Sequence, residues 1–120
     1  MEKLTKVEEE IMLILWDLKE AFVKDIIEKM PEPKPHYNTV STMIKILQEK
    51  AFVDYKAYGK TYQYFPIIKK ESYFKTSVKP MLKNYFNDSA KQLVYFLVKE
   101  KNISIDELEK LISDLKKTHN

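Results

Sequence analysis

Between Leu47 and Phe52 the apolar residues change from helical spacing to alternation, and that change constrains the fold more than any other feature of the chain. Val40, Met43, Ile44 and Leu47 form one stripe of a helix expected from about Tyr37 to Lys50. Asn38, Ser41, Thr42 and Lys45 fall on the opposite side of that helix. Phe52–Tyr58 and Thr61–Pro66 then read as aromatic, β-branched strands joined at Gly59-Lys60, a two-residue hairpin signal. Gly59 is the only glycine in the chain, which argues against a Gly-rich phosphate loop and against a many-turned all-β fold.

The segments on either side of this unit read as helices. Thr5-Lys6-Val7-Glu8 is a capping box that opens a helix ending near Lys19. Val7, Ile11, Ile14 and Leu18 lie on one side of it and Met12 and Trp16 nearly opposite, so it must be covered on more than one face, with Trp16 in the core. Val23, Ile26, Ile27 and Met30 give a short second helix stopped by Pro31, and Pro31, Pro33 and Pro35 stiffen the connector that follows. Three helices and a hairpin, in that order, predict a winged helix over residues 1–68. The helical period returns from Glu71, where Phe74, Val78, Met81, Leu82, Tyr85 and Phe86 are apolar and Lys75, Lys79 and Lys83 line another face. Pro80 is expected to kink this helix. Asn87-Asp88-Ser89 breaks it, and a helix carrying Leu93, Val94, Phe96, Leu97 and Val98 follows. A second capping box, Ser104-Ile105-Asp106-Glu107, opens a last helix with Leu108, Leu111, Ile112 and Leu115. The expected class is therefore mainly α with a small β-hairpin wing: a winged helix-turn-helix domain at 1–68 and a helical domain at 69–120.

Composition removes several functions. The chain has no Cys and two His, so it offers no thiolate or histidine cluster for a metal, and no nucleophile–base pair stands out. We expect neither an enzyme nor a cofactor. The opening MEKLTKVEEE is acidic where a signal peptide is basic and then apolar, and no apolar run approaches the roughly 20 residues that span a bilayer, so a cytoplasmic protein is expected. Net charge is +3, unevenly spread: −4 over residues 1–33, +3 over 34–68 and +4 over 69–120. An acidic first third beside a basic middle suggests one face for solvent and another for a polyanion.

The third helix carries the functional reading. A face built only for solubility would use Glu, Lys and Gln, whereas Asn38, Ser41 and Thr42 keep the surface low and rich in short hydrogen-bonding groups. Asn pairs bidentately with adenine, the Thr methyl meets the thymine methyl, and Lys45 can reach a phosphate or a guanine. An ordinary polar face is the alternative. Lys56, Tyr58 and Lys60 cluster towards the hairpin tip, where a wing would meet the DNA backbone. The last two helices, through Leu93, Val94, Phe96, Leu97, Leu108, Leu111, Ile112 and Leu115, have the pattern of a dimerisation module. The alternative there is that they fold back to complete a monomeric core. A winged helix that docks proteins without reading DNA sequence is the rival function.

Taken together, these residues resemble the penicillinase-repressor family of winged-helix transcriptional regulators over nearly the whole chain. Glu8-Glu9-Glu10-Ile11-Met12-Leu13-Ile14-Leu15-Trp16 is similar to the family's first helix, and Asn38-Thr39-Val40-Ser41-Thr42-Met43-Ile44-Lys45-Ile46-Leu47 to its recognition helix. Gln48–Asp54 and Tyr62-Gln63-Tyr64-Phe65-Pro66 match the stretch into the wing and the wing's ending. The resemblance implies a bacterial homodimeric repressor of a palindromic operator, with Asn38, Thr39, Ser41 and Thr42 facing double-stranded DNA and Lys56, Tyr58 and Lys60 in the wing. In antibiotic-responsive members a membrane sensor-protease relieves repression by cutting an Asn-Phe bond. The aligned stretch here, Leu93–Val98, has no Asn, so release by that cut is not expected and the signalling partner stays open. Copper-responsive members use Cys motifs that this chain lacks. The family's usual Lys, Arg and Gly are here Asn38, Ile46 and Ala51, and all 21 basic residues are Lys. Without the Arg fork on guanine, an A·T-rich half-site is expected.

Overall fold

A computed structural model describes residues 3–100 and 103–119. Its elements are α1 (Lys6–Leu18), β1 (Ala21–Phe22), α2 (Val23–Lys29), α3 (Tyr37–Glu49), β2 (Val53–Tyr58), β3 (Thr61–Pro66), α4 (Lys70–Phe86), α5 (Ala90–Glu100) and α6 (Ile105–His119). Two compact units divide after Ser77, inside α4. The first holds α1 to β3 and the first turns of α4: a winged helix.

Each helix of this unit starts and stops for a local reason. At α1 the Thr5 hydroxyl accepts the Glu8 amide at 3.3 Å while the Glu8 carboxylate accepts the Thr5 amide at 2.8 Å, so the expected capping box is formed. At α2 the Phe22 N–H donates to the Asp25 carboxylate, and the helix ends where Met30, preceding Pro31, is held extended. Lys34 turns back to donate to the Glu28 and Met30 carbonyls, groups a helix end leaves without amide partners. At α3 the Phe52 amide reaches the Leu47 carbonyl at 2.9 Å and the Ala51 amide reaches Gln48 at 3.0 Å, the two bonds of a Schellman motif. Phe52 and Leu47, its apolar clasp, are both fully buried.

That motif wants glycine at its left-handed position, and Ala51 occupies it with φ +64°. Its Cβ crowds the following carbonyl at a cost of about 1 kcal/mol. Ala51→Gly is therefore expected to raise the unfolding free energy by up to about 1 kcal/mol, less the entropy glycine regains on unfolding. Urea denaturation checks this, and a less stable variant would show the turn to be relaxed.

The sheet is antiparallel in the order β1-β3-β2. The hairpin closes as expected, with Tyr58 opposite Thr61 and Gly59 at φ +62°. β1 was not expected from sequence. It pairs Ala21 with Tyr64 and Phe22 with Gln63, tying the link between α1 and α2 to the wing.

The core differs from the expected pattern in phase. On α1 the buried side chains are Glu8, Ile11, Met12 and Leu15, whereas Val7 is exposed and Ile14, Trp16 and Leu18 are half-buried against the core. Trp16 packs as expected and also donates its indole N–H to the Ile68 carbonyl at 2.8 Å. On α4, Tyr73 is buried and Phe74 is 64% exposed. The Tyr73 ring meets Phe52 edge-on at 5.6 Å and Trp16 at 6.0 Å, while its hydroxyl accepts the Leu4 amide and donates to Glu9.

Glu8 is the buried charged residue of this core, and Lys50 answers it with contacts of 2.9 and 3.1 Å to its two carboxylate oxygens. Burial pushes the Glu8 carboxyl up, but the Thr5 amide and Lys50 outweigh it and hold the group below the ordinary glutamate range. A carboxyl depressed in the folded state adds stability above its unfolded value and loses it as pH falls through the folded one. Glu8→Gln is thus expected to cost about 2 kcal/mol at neutral pH. In melts at decreasing pH that gap should close below the ordinary glutamate range, and a gap unchanged by acid would show the pair to be inert.

In the second unit α4 runs as one helix through Pro80. The Asp88 amide bonds back to the Leu82 carbonyl, Asn87 and Asp88 take positive φ, and the Ser89 hydroxyl accepts the Gln92 amide to cap α5. At α6 the Ser104 hydroxyl accepts the Glu107 amide and donates to its carboxylate.

Candidate nucleic-acid interface

α3 is amphipathic because its sequence alternates two stripes a half-turn apart. Val40, Ile44 and Leu47 are buried, and they fix the opposite face outward. Asn38, Thr39, Thr42 and Lys45 are exposed and Ser41 is half-buried. The Thr42 hydroxyl donates to the Asn38 carbonyl at 2.8 Å. That bond occupies its proton, so Thr42 offers outward a methyl group and a remaining acceptor lone pair. Asn38 keeps a full amide edge, and Lys45 supplies the face's cation. Ile46, where the resemblance led one to look for an Arg, is half-buried and offers no charge.

The wing separates its candidate residues by strand alternation. Lys56 and Tyr58 point to one face of the hairpin, and Lys60 sits in the turn. The Lys56 ammonium lies 5.8 Å from the Phe65 ring on the neighbouring strand, a cation–π contact that steadies the long side chain. Tyr58 meets Phe22 edge-on at 5.9 Å, so β1 buttresses the wing near its tip. All three residues are exposed.

A group that the sequence reading did not single out lies on the other face of the hairpin. Tyr55 and Tyr62 stack at 4.4 Å, and Tyr64 lies 6.0 and 6.4 Å from them. Their period-two placement, Tyr55 opposite Tyr64 and Tyr62 one step on, was readable as a shared face once the register was known. Tyr64 is buried and its hydroxyl is pushed above the ordinary range by that burial and by the nearby phenols of Tyr37, Tyr62 and Tyr55. It stays a protonated donor at any physiological pH.

In the second unit the expected pairing residues are poorly covered by their own chain. α5 buries none of its residues. Leu93, Leu97 and Leu108 are half-buried, while Val94, Phe96, Leu111, Ile112 and Leu115 are 40–55% exposed. Phe96 is turned partly to Phe86 of α4, at 5.9 Å between rings. Val94, Leu97, Val98, Ile103, Leu108 and Leu111 line an apolar cleft of about 350 Å³ between α5 and α6. Among the described residues no group of three or more His, Asp or Glu is placed to hold a metal ion, and no helix is long and apolar enough to cross a membrane.

With this geometry in view, comparison with known proteins adds an independent finding. The family model described as penicillinase repressor matches residues 4–117. The chain is 31% identical over 117 residues to the methicillin resistance regulatory protein MecI of Staphylococcus aureus, covering 96% of this chain and 94% of that one. It is 30% identical, over the same shares, to the protein of that name from Mammaliicoccus sciuri. A solved structure titled "CopR Repressor Structure" aligns over 57% of this chain and all of its own, at 26% identity and a TM-score of 0.47.

Proposed function

The chain belongs to the penicillinase-repressor family, and on that premise we propose that it is a homodimeric transcriptional repressor that reads a palindromic operator through α3 and grips it with the wing. The carrying observation is the outward face of α3: short polar side chains held at helical spacing over a buried Val40-Ile44-Leu47 stripe. Asn38, Thr39, Ser41 and Thr42 read base edges, while Lys45, Lys56 and Lys60 hold phosphates and Tyr58 flanks them in the wing. The absence of Arg from the chain favours A·T-rich half-sites.

Pairing of subunits through α5 and α6 completes the reading. One recognition helix contacts only a few base pairs, and two across a dyad bring affinity into the useful range. The exposed leucine, isoleucine and valine surface of these helices is what a second copy would cover.

Selection of duplexes from a random pool, followed by titration of two variants, tests this. Asn38→Ala should change the preferred base at one position per half-site, at a cost of about 1–3 kcal/mol on the selected operator. Lys60→Gln should weaken all duplexes about equally and flatten the salt slope by about one unit per subunit. A pool that yields no preferred sequence would leave a protein-docking winged helix instead. G-rich half-sites would overturn the A·T expectation.

A further inference from the structure

We propose that Tyr37, Tyr62 and Lys24 form a separate DNA contact, a cleft between the reading helix and the wing that takes one backbone phosphate. The proposal rests on the DNA-binding reading above and extends it to residues with no assigned role. The cleft holds about 230 Å³. Its walls are Phe22, Val23 and Lys24 where β1 passes into α2, Tyr37 at the first position of α3, and Thr61 and Tyr62 at the start of β3.

Its chemistry is one-sided. Its polar lining residues are Lys24, Tyr37, Thr61 and Tyr62, and none of the lining residues carries a carboxylate. Asp25, the acid nearest in sequence to Lys24, already accepts the Phe22 amide at 3.0 Å. The Thr61 hydroxyl donates to the Tyr58 carbonyl at 2.9 Å, which leaves Lys24 and the two phenols as the cleft's donors. Lys24 beside two phenols that can donate, with no carboxylate in the lining, suits an anion, and a phosphodiester presents two free oxygens to them.

Tyr62 is held by its neighbours while remaining open, and Tyr37 is open. Tyr62 is held by Tyr55 at 4.4 Å and Tyr64 at 6.4 Å, yet stays 42% exposed, and Tyr37 is 54% exposed. Rings this exposed add little to the core, whereas a hydroxyl on a ring already held, as in Tyr62, loses little entropy on binding a ligand. Location favours DNA as the source of the phosphate. Tyr37 immediately precedes Asn38 of the reading face, and Thr61 immediately follows Lys60 of the wing turn, so the cleft is built from residues next in sequence to both parts of the proposed interface. Lys, Tyr and Thr side chains are ordinary partners of the DNA backbone.

The test titrates the selected operator with native protein, with the double variant Tyr37→Phe/Tyr62→Phe, and with Lys24→Gln, at several salt concentrations. The double variant should keep the native melting temperature and lose roughly tenfold in affinity on operator and unrelated duplex alike. Its salt slope should be unchanged because no charge is removed. Lys24→Gln should weaken binding and flatten the slope by about one unit per subunit. Ethylating one phosphate per half-site should weaken native protein more than the double variant, which keeps only the Lys24 contact to it. A double variant that binds like native protein, or that loses as much affinity as native protein on ethylation, overturns the proposal. So does binding of inorganic phosphate that the double variant loses while operator affinity holds, which assigns the cleft to free phosphate. Failure of native protein to select any operator removes the DNA-binding reading itself, a different and distinguishable result.

Discussion

Leu111→Glu combined with Leu115→Glu is expected to turn the protein into a monomer and to lower its affinity for a two-half-site operator by roughly 10²–10⁴-fold. In a single chain these side chains are 55% and 50% exposed, so each offers about half its surface to a second copy. Glutamate is a good helix former, and on α6 the change should leave the helix intact while placing charges where two apolar faces would meet. A dimer binds its second half-site at an effective concentration set by the first, and a monomer forfeits that advantage without losing any base contact. Binding to an isolated half-site should therefore be nearly unchanged. Sedimentation of the variant against native protein checks the association state, and circular dichroism checks that the helices persist. Native protein that sediments as a monomer, or a monomeric variant with native operator affinity, would remove dimerisation from the mechanism.

The parts of this account that were legible in the sequence are those settled by near neighbours. α3 and the hairpin were readable because a stripe from Val40 to Leu47 and a glycine at the turn are local signals, and the Thr5 capping box and the Ser104 hydroxyl cap each lie within four residues. What was not legible depends on partners far along the chain. β1 is two residues long and exists because Ala21 and Phe22 find Tyr64 and Gln63. Nothing local distinguishes Tyr73 from Phe74 as the buried ring. The choice is made by Trp16 and Phe52, and by a hydroxyl that can satisfy the Leu4 amide where phenylalanine could not. Glu8 was readable as a cap, but not as a buried anion answered by Lys50 across 42 positions. The candidate interface divides in the same way. Its helix face follows from period alone, while the cleft of Tyr37, Tyr62 and Lys24 is assembled from three segments and appears only once they are folded together.

Phe52→Ala is expected to be the most damaging single substitution in the first unit, costing about 3–5 kcal/mol. Phe52 is fully buried, clasps the end of α3 through Leu47 and meets the Tyr73 ring, so one side chain joins the reading helix, the wing and α4. A small domain has a total stability of about 5–15 kcal/mol, and this loss would leave a large share of molecules unfolded near physiological temperature. Tyr73→Phe separates packing from polarity at the same junction. It keeps the ring against Phe52 and Trp16 but removes the hydroxyl that accepts the Leu4 amide, leaving that buried N–H unsatisfied at about 1–3 kcal/mol. Urea denaturation followed by tryptophan fluorescence reports on both, since Trp16, the chain's only tryptophan, packs against Tyr73. The order Phe52→Ala well below Tyr73→Phe below native is the expected result. If Phe52→Ala lost less than 1 kcal/mol, α3 and α4 would have to be held by contacts other than this junction, and the orientation of the reading helix would need another explanation.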